Sequence, residues 1–102
     1  MTVDEAITDA MNKTSIRSGL MATYAVRREG KFFGYVEAHL NTHGSSAPMD
    51  WEMTWVVNWQ NDKGRIETST STDLEALLKP FGTIDLTHAW EDAPGKRPPH
   101  KR

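Results

Sequence analysis

Residue types able to do chemistry are few in this chain, and their spacing tests each of them. His39 and His43 stand four apart. That interval brings two imidazoles onto one face of a helix, but here it spans a strand end and a Gly/Ser loop with no third ligand in view, so no metal site is expected. Glu37 and Asp85 would make a general acid–base pair if folding joined them, yet the sequence supplies no nucleophile, second base or glycine-rich phosphate loop beside them. Ser45-Ser46 lacks the elbow motif that activates a serine, and Ser69, Thr70, Ser71 and Thr72 read as strand-end and capping residues. His88 alternates with Leu86 and Trp90, the pattern of a core histidine. There is no cysteine, hence no thiolate ligand, disulfide or cysteine nucleophile. The expectation is a chain that is not an enzyme and carries no cofactor.

The run from Arg27 to Val36 (RREGKFFGYV) is the best candidate for binding. It interleaves cations with aromatic rings, a combination that grips phosphates and unpaired bases or anchors a protein partner. Read from Lys31, KFFGYVEA resembles the RNP1 element of RNA-recognition motifs and, less closely, of cold-shock domains. Lys31, Phe33, Gly34, Tyr35 and Val36 match that pattern, whereas Phe32 stands where it has glycine and Ala38 where it has an aromatic. The resemblance covers these eight residues alone and implies aromatic faces stacked on bases, with cations on phosphates. An RNA-recognition motif places a strand with its own aromatic motif and then a helix before this element, and a helix soon after it. Here a helix and then a strand precede it, and the loop NTHGSSAPMD follows.

The elements that position these residues are legible in the hydropathy pattern. Trp51, Met53, Trp55, Val57 and Trp59 alternate with Glu52, Thr54, Val56, Asn58 and Gln60, the period of a strand with one buried face. Asn61-Asp62-Lys63-Gly64 turns the chain, and Arg65 to Ser71 returns as a second strand. A loop of even length would set Ile66 opposite Trp59, Thr68 opposite Val57 and Thr70 opposite Trp55. A three-residue loop would set Glu67 against Trp59, so the even loop is expected. Upstream, Ala22 to Arg28 and Phe32 to Leu40 form another hairpin about Glu29-Gly30-Lys31. Strict alternation groups Tyr24, Val26, Phe33 and Tyr35 on one face and Ala25, Phe32, Val36, Ala38 and Leu40 on the other.

Thr2-Val3-Asp4-Glu5 is a capping box opening a helix to about Asn12, with Val3, Ala6, Ile7, Ala10 and Met11 as its apolar stripe. Thr72-Asp73-Leu74-Glu75 looks like another, opening a short helix that Pro80 and Gly82 end. Thr83 to Trp90 alternates as a fifth strand. The order α-ββ-ββ-α-β predicts an α+β domain over residues 1–92, an antiparallel sheet of about five strands with short helices packed on one face. Residues 93–102 (APGKRPPHKR) form a flexible basic, proline-rich tail. Met21 is an alternative start within the first hairpin.

In a meander of this order the two hairpin turns fall at the same end of the sheet. Arg27, Arg28, Lys31, Lys63 and Arg65 gather there beside Phe32, Phe33 and Tyr35, and these eight residues are the expected partner-binding set. The body is acidic: residues 1–90 hold eight Lys/Arg against twelve Asp/Glu, net −4, which disfavours non-specific duplex binding. No apolar run is long enough to span a membrane and the acidic N-terminus lacks a signal-peptide core, so a cytoplasmic protein is expected. The expected partner is another protein or protein complex, with nucleic acid as the alternative and no membrane. By analogy of build, small acidic α+β chains serve as inhibitors or adaptors, including phage and mobile-element factors that act on host defence complexes.

Overall fold

The computed structural model describes residues 1–14 and 18–89. It is an α+β fold of five antiparallel strands and two short helices. Helix α1 (Val3–Met11) is followed by β1 (Gly19–Arg28), β2 (Lys31–Asn41), a 3-10 turn at Pro48–Asp50, β3 (Glu52–Gln60), β4 (Ile66–Ser71), helix α2 (Leu74–Leu78), a 3-10 turn at Lys79–Phe81, and β5 (Ile84–His88). The strand order is β4-β3-β2-β1-β5, so the first four strands form a meander and the fifth returns to its far side. The expected tail and the Trp90 end of the last strand lie outside the described residues.

Both helices cover one face. The Thr2 hydroxyl accepts from the Glu5 amide at 3.1 Å and the Glu5 carboxylate accepts from the Thr2 amide at 2.7 Å, which closes the capping box of α1. Ala6 and Ala10 are fully buried, and their small size lets α1 lie close on Ala22, Tyr24 and Ala38 of the sheet. Leu74, Leu77 and Leu78 of α2 close the other half of the core over Trp55 and Val57. Trp55 is 3% exposed. Burying about 150–250 Å² of such a ring is worth about 4–6 kcal/mol before entropy. The cap of α2 is Asp73, one residue later than Thr72: its carboxylate accepts from the Ala76 amide at 3.2 Å. Trp51 precedes β3, and its indole N–H donates to the Ser45 carbonyl at 2.8 Å, tying down the long connection.

Two departures from simple alternation matter for the site. Between β1 and β2 the register shifts at Val26/Arg27: Val26 faces Gly34 while Arg27 faces Phe32. Phe33 is therefore an extra residue in a bulge, and it turns to the helix-covered side against Trp59 and Phe81. Past the bulge the faces exchange. Val36, Ala38 and Leu40 join Tyr24 and Val26 in the core, and Tyr35 joins Phe32 and Ala25 on the face that neither helix covers. The face grouping expected from strict alternation is corrected accordingly.

The other departure is the β3–β4 register, in which Trp59 faces Glu67 and Gln60 faces Ile66. The even-loop register is thus wrong, and turn chemistry is the reason. The Asn61 side-chain oxygen accepts from the Lys63 amide at 2.8 Å and the Arg65 amide at 3.0 Å, while the Gly64 amide donates to the Asn61 carbonyl at 2.9 Å. Gly64 supplies the positive φ of 79° that this loop requires. Placing Glu67 beside Trp59 costs little, because its carboxylate accepts from the Asn61 side-chain amide at 2.8 Å and stays exposed.

Candidate functional site

The sheet end at the β1–β2 and β3–β4 turns is built by two unlike hairpins. Glu29 and Gly30 have φ of 54° and 77°, the two left-handed positions of a two-residue turn whose twist matches the strands. The Arg27 guanidinium donates to the Gly30 carbonyl and braces it. Because β2 starts where β3 ends, this turn and the Asn61–Arg65 loop stand side by side.

The eight expected binding residues meet at this end but divide between the two faces. On the helix-covered side, Phe33 stacks on Trp59 at 6.1 Å with 15° between planes and tilts against Phe81 at 4.9 Å. Arg28 lies over the Phe33 ring, 5.7 Å from its centroid. On the side that neither helix covers, Phe32 and Tyr35 make an edge-to-face pair with centroids 5.1 Å apart. Phe32 is 38% exposed and Ile66, which sequence reasoning did not select, is 70% exposed. Phe32, Tyr35, Asn58, Gln60 and Ile66 border one shallow depression. Lys31, Lys63 and Arg65 are exposed at the same end of the sheet, as are Glu29 and Asp62.

The other candidates disperse. His39 pairs with Glu37 at 2.9 Å and His43 lies 4.0 Å from Glu52. Among the described residues no group of three or more His, Asp or Glu is placed to hold a metal ion. Asp85 stands two strands away from Glu37 and pairs with the Met1 ammonium at 3.2 Å. The Ser45 hydroxyl donates to Asp50 at 2.8 Å and accepts from the Ala47 amide at 3.0 Å, so it structures its own loop.

One cluster had no signal in sequence because its members lie on three separate elements. The Asp9 carboxylate accepts from the Tyr24 hydroxyl at 2.6 Å and from Lys13 at 3.0 Å, and His88 is 3.4 Å away. Burial pushes Asp9 up, but the Tyr24 hydroxyl, Lys13 and His88 together hold it below the ordinary aspartate range. Burial, and then the Asp9 carboxylate, hold the Tyr24 hydroxyl well above the ordinary tyrosine value. The cluster joins α1 to β1 and β5 of the sheet.

Comparison with family models, with curated proteins and with solved structures gives no match. An aromatic pair on the sheet face that neither helix covers, with cations at the same end of the sheet, can bury apolar area against a partner and orient it by charge. No helix among the described residues is long and apolar enough to cross a membrane.

Proposed function

We propose that this is a small non-catalytic protein-binding protein that docks through the face that neither helix covers, at the turn end of the sheet. The observation that carries the reading is the Phe32–Tyr35 pair, which stands on the face that neither helix covers and has Ile66 as its exposed apolar neighbour. Aromatic side chains in such a setting are the usual energetic centres of protein contacts, often worth about 2 kcal/mol each. Lys31, Lys63 and Arg65, exposed at the same end of the sheet, favour a partner with an apolar centre and acidic surroundings, and they speed its encounter. In this reading the protein acts in the cytoplasm as an inhibitor or adaptor. A phage or mobile-element factor directed at a host defence complex is the form that its size and acidic body suggest.

The same two rings and cations favour a second reading, single-stranded nucleic-acid binding, in which bases stack on Phe32 and Tyr35. Phe33, an aromatic of the RNP1-like pattern, is turned away into the core, and the body is net negative. Both facts rank this reading second. Affinity capture from the native host, run with the parent and with Phe32→Ala/Tyr35→Ala, separates the two. A protein retained by the parent and lost by the variant, with thermal stability preserved, is the expected result. Submicromolar binding of labelled single-stranded RNA at physiological salt, abolished by Lys31→Glu/Lys63→Glu, would put the second reading first.

A further inference from the structure

We infer that the chain self-associates through the outer edge of β4, two copies pairing antiparallel about a twofold axis at Ser69 to form one continuous sheet. The two edges of the sheet differ. At β5 the Met1 main chain closes the edge: its ammonium donates to the Leu86 carbonyl and the Leu86 amide donates to the Met1 carbonyl at 3.2 Å. At the other edge, β4 pairs with β3 alone among the described strands, and residues 66–70 are exposed. Its ladder to β3 runs unbroken from Ser71 to Ile66. It carries no proline, no bulge and a single charge, Glu67, so the usual devices that blunt an edge strand are nearly absent.

The main-chain geometry of β4 limits how a second strand can join. The Asn61 amide donates to the Arg65 carbonyl, so that pair points its hydrogen bonds across the hairpin. Alternation then directs Glu67, Ser69 and Ser71 toward β3 and leaves the N–H and C=O groups of Ile66, Thr68 and Thr70 facing outward. The same alternation, carried across the whole sheet, leaves Leu86 facing outward on β5, where Met1 meets it. An antiparallel second copy must match outward residues with outward residues.

Charge selects among the registers that remain. With the axis at Ser69, Thr68 faces Thr70 of the second copy in both directions, Glu67 faces Ser71, and Arg65 faces Asp73. Moving the axis to Glu67 sets that carboxylate against its own copy, and moving it to Thr70 sets Glu67 against Asp73. Moving it to Thr68 leaves Arg65 facing Ser71 and forfeits the ion pair. The axis at Ser69 is therefore the self-complementary one, with two Arg65–Asp73 pairs across it. A six-residue seam buries less than the ~1,200–2,000 Å² of a standard stable interface, so the dimer is weak and concentration-dependent.

The absence of cysteine makes the test direct. Ser69→Cys introduces the sole thiol, at the axis, where facing residues outside the hydrogen-bonded pairs have Cα atoms about 4.5 Å apart. That separation lies within the range of about 4.4–6.8 Å that a disulfide spans. Under mild oxidation Ser69→Cys is expected to link into dimers much faster than Ser46→Cys, an exposed control outside the seam. Glu67→Cys and Ser71→Cys should each form no disulfide-linked dimer alone and link to one another when mixed. In sedimentation the parent should gain mass with concentration. Thr68→Pro, which removes an outward donor that β3 does not use, should abolish the gain while melting near the parent. A parent that stays monomeric at every concentration, or Ser69→Cys linking no faster than the control, overturns the proposal. So does Glu67→Cys linking to itself, which would place the axis elsewhere. A dimer retained by folded Thr68→Pro would assign self-association to another surface and overturn it as well.

Discussion

Gly34 is fixed by what stands across from it. A Cβ at this position would sit 2.2 Å from the Asn58 carbonyl oxygen and 3.0 Å from Trp59 Cα, both on the backbone of β3, which cannot step aside as a side chain can. Gly34→Ala should therefore destabilise the fold by about 1–3 kcal/mol, as overpacking does. A melting temperature within a degree of the parent would show that β3 yields. The glycine of the RNP1-like pattern thus has a steric reason inside this fold, independent of any ligand. Tyr24 sets a pH limit of its own. Its folded hydroxyl holds its proton to higher pH than an unfolded tyrosine, so its contribution to stability is intact below about pH 10 and declines as pH rises through its raised value. Asp9 acts at the other end: its contribution is present above the ordinary aspartate range and is lost as pH falls through its lowered value. Denaturant titrations above pH 10 should show Tyr24→Phe losing less stability with pH than the parent. Parallel losses would mean that another group controls the alkaline limb.

At the scale of elements, five strands and two helices were legible in the sequence because their signals are local. The alternation from Trp51 to Trp59, the Thr2–Glu5 capping box and the Pro80/Gly82 stop each act within a few residues of chain. What was not legible is how strands meet. Phe33 is indistinguishable from a regular strand residue until Val26 pairs with Gly34 and Arg27 with Phe32, leaving it the extra residue, and the bulge then brings Phe32 and Tyr35 onto one face. That bulge is what puts Tyr35, with Phe32, on the candidate docking face, and Ile66 joined them only because the β3–β4 register moved by one residue. The register was decided by Asn61, whose side chain outweighs the modest gain of setting Ile66 beside Trp59. Asn61→Ala should cost about 1 kcal/mol or more in chemical denaturation, since two turn amides lose their acceptor. The Arg65 and Glu67 amides should also exchange hydrogen faster. Unchanged protection at both would show that the register is held by the strands and not by the loop.

Among the described residues, α1 and α2 take one face of the sheet, and the other carries the aromatic pair, the Glu37–His39 pair and a scatter of threonines. The core could be anticipated from composition and pattern, but which face the helices left depended on where both of them landed, which no single stretch encodes. The position of β5 has a consequence for the order in which the chain is assembled. His88 pairs with Tyr24, 64 residues earlier, whereas every other strand pairs with a neighbour in sequence. Synthesis from the N-terminus therefore releases α1 and a four-stranded meander while the β1 edge still lacks its partner. That edge opens directly onto Tyr24, Ala25 and Val26, which are fully buried in the finished fold. A fragment ending at Gly82 should accordingly be sticky and poorly soluble. A synthetic peptide of residues 83–92 supplied in trans should restore its solubility and its core tryptophan fluorescence. A soluble, cooperatively melting fragment without the peptide would show that the meander seals itself, and that the last strand is added to a domain already complete.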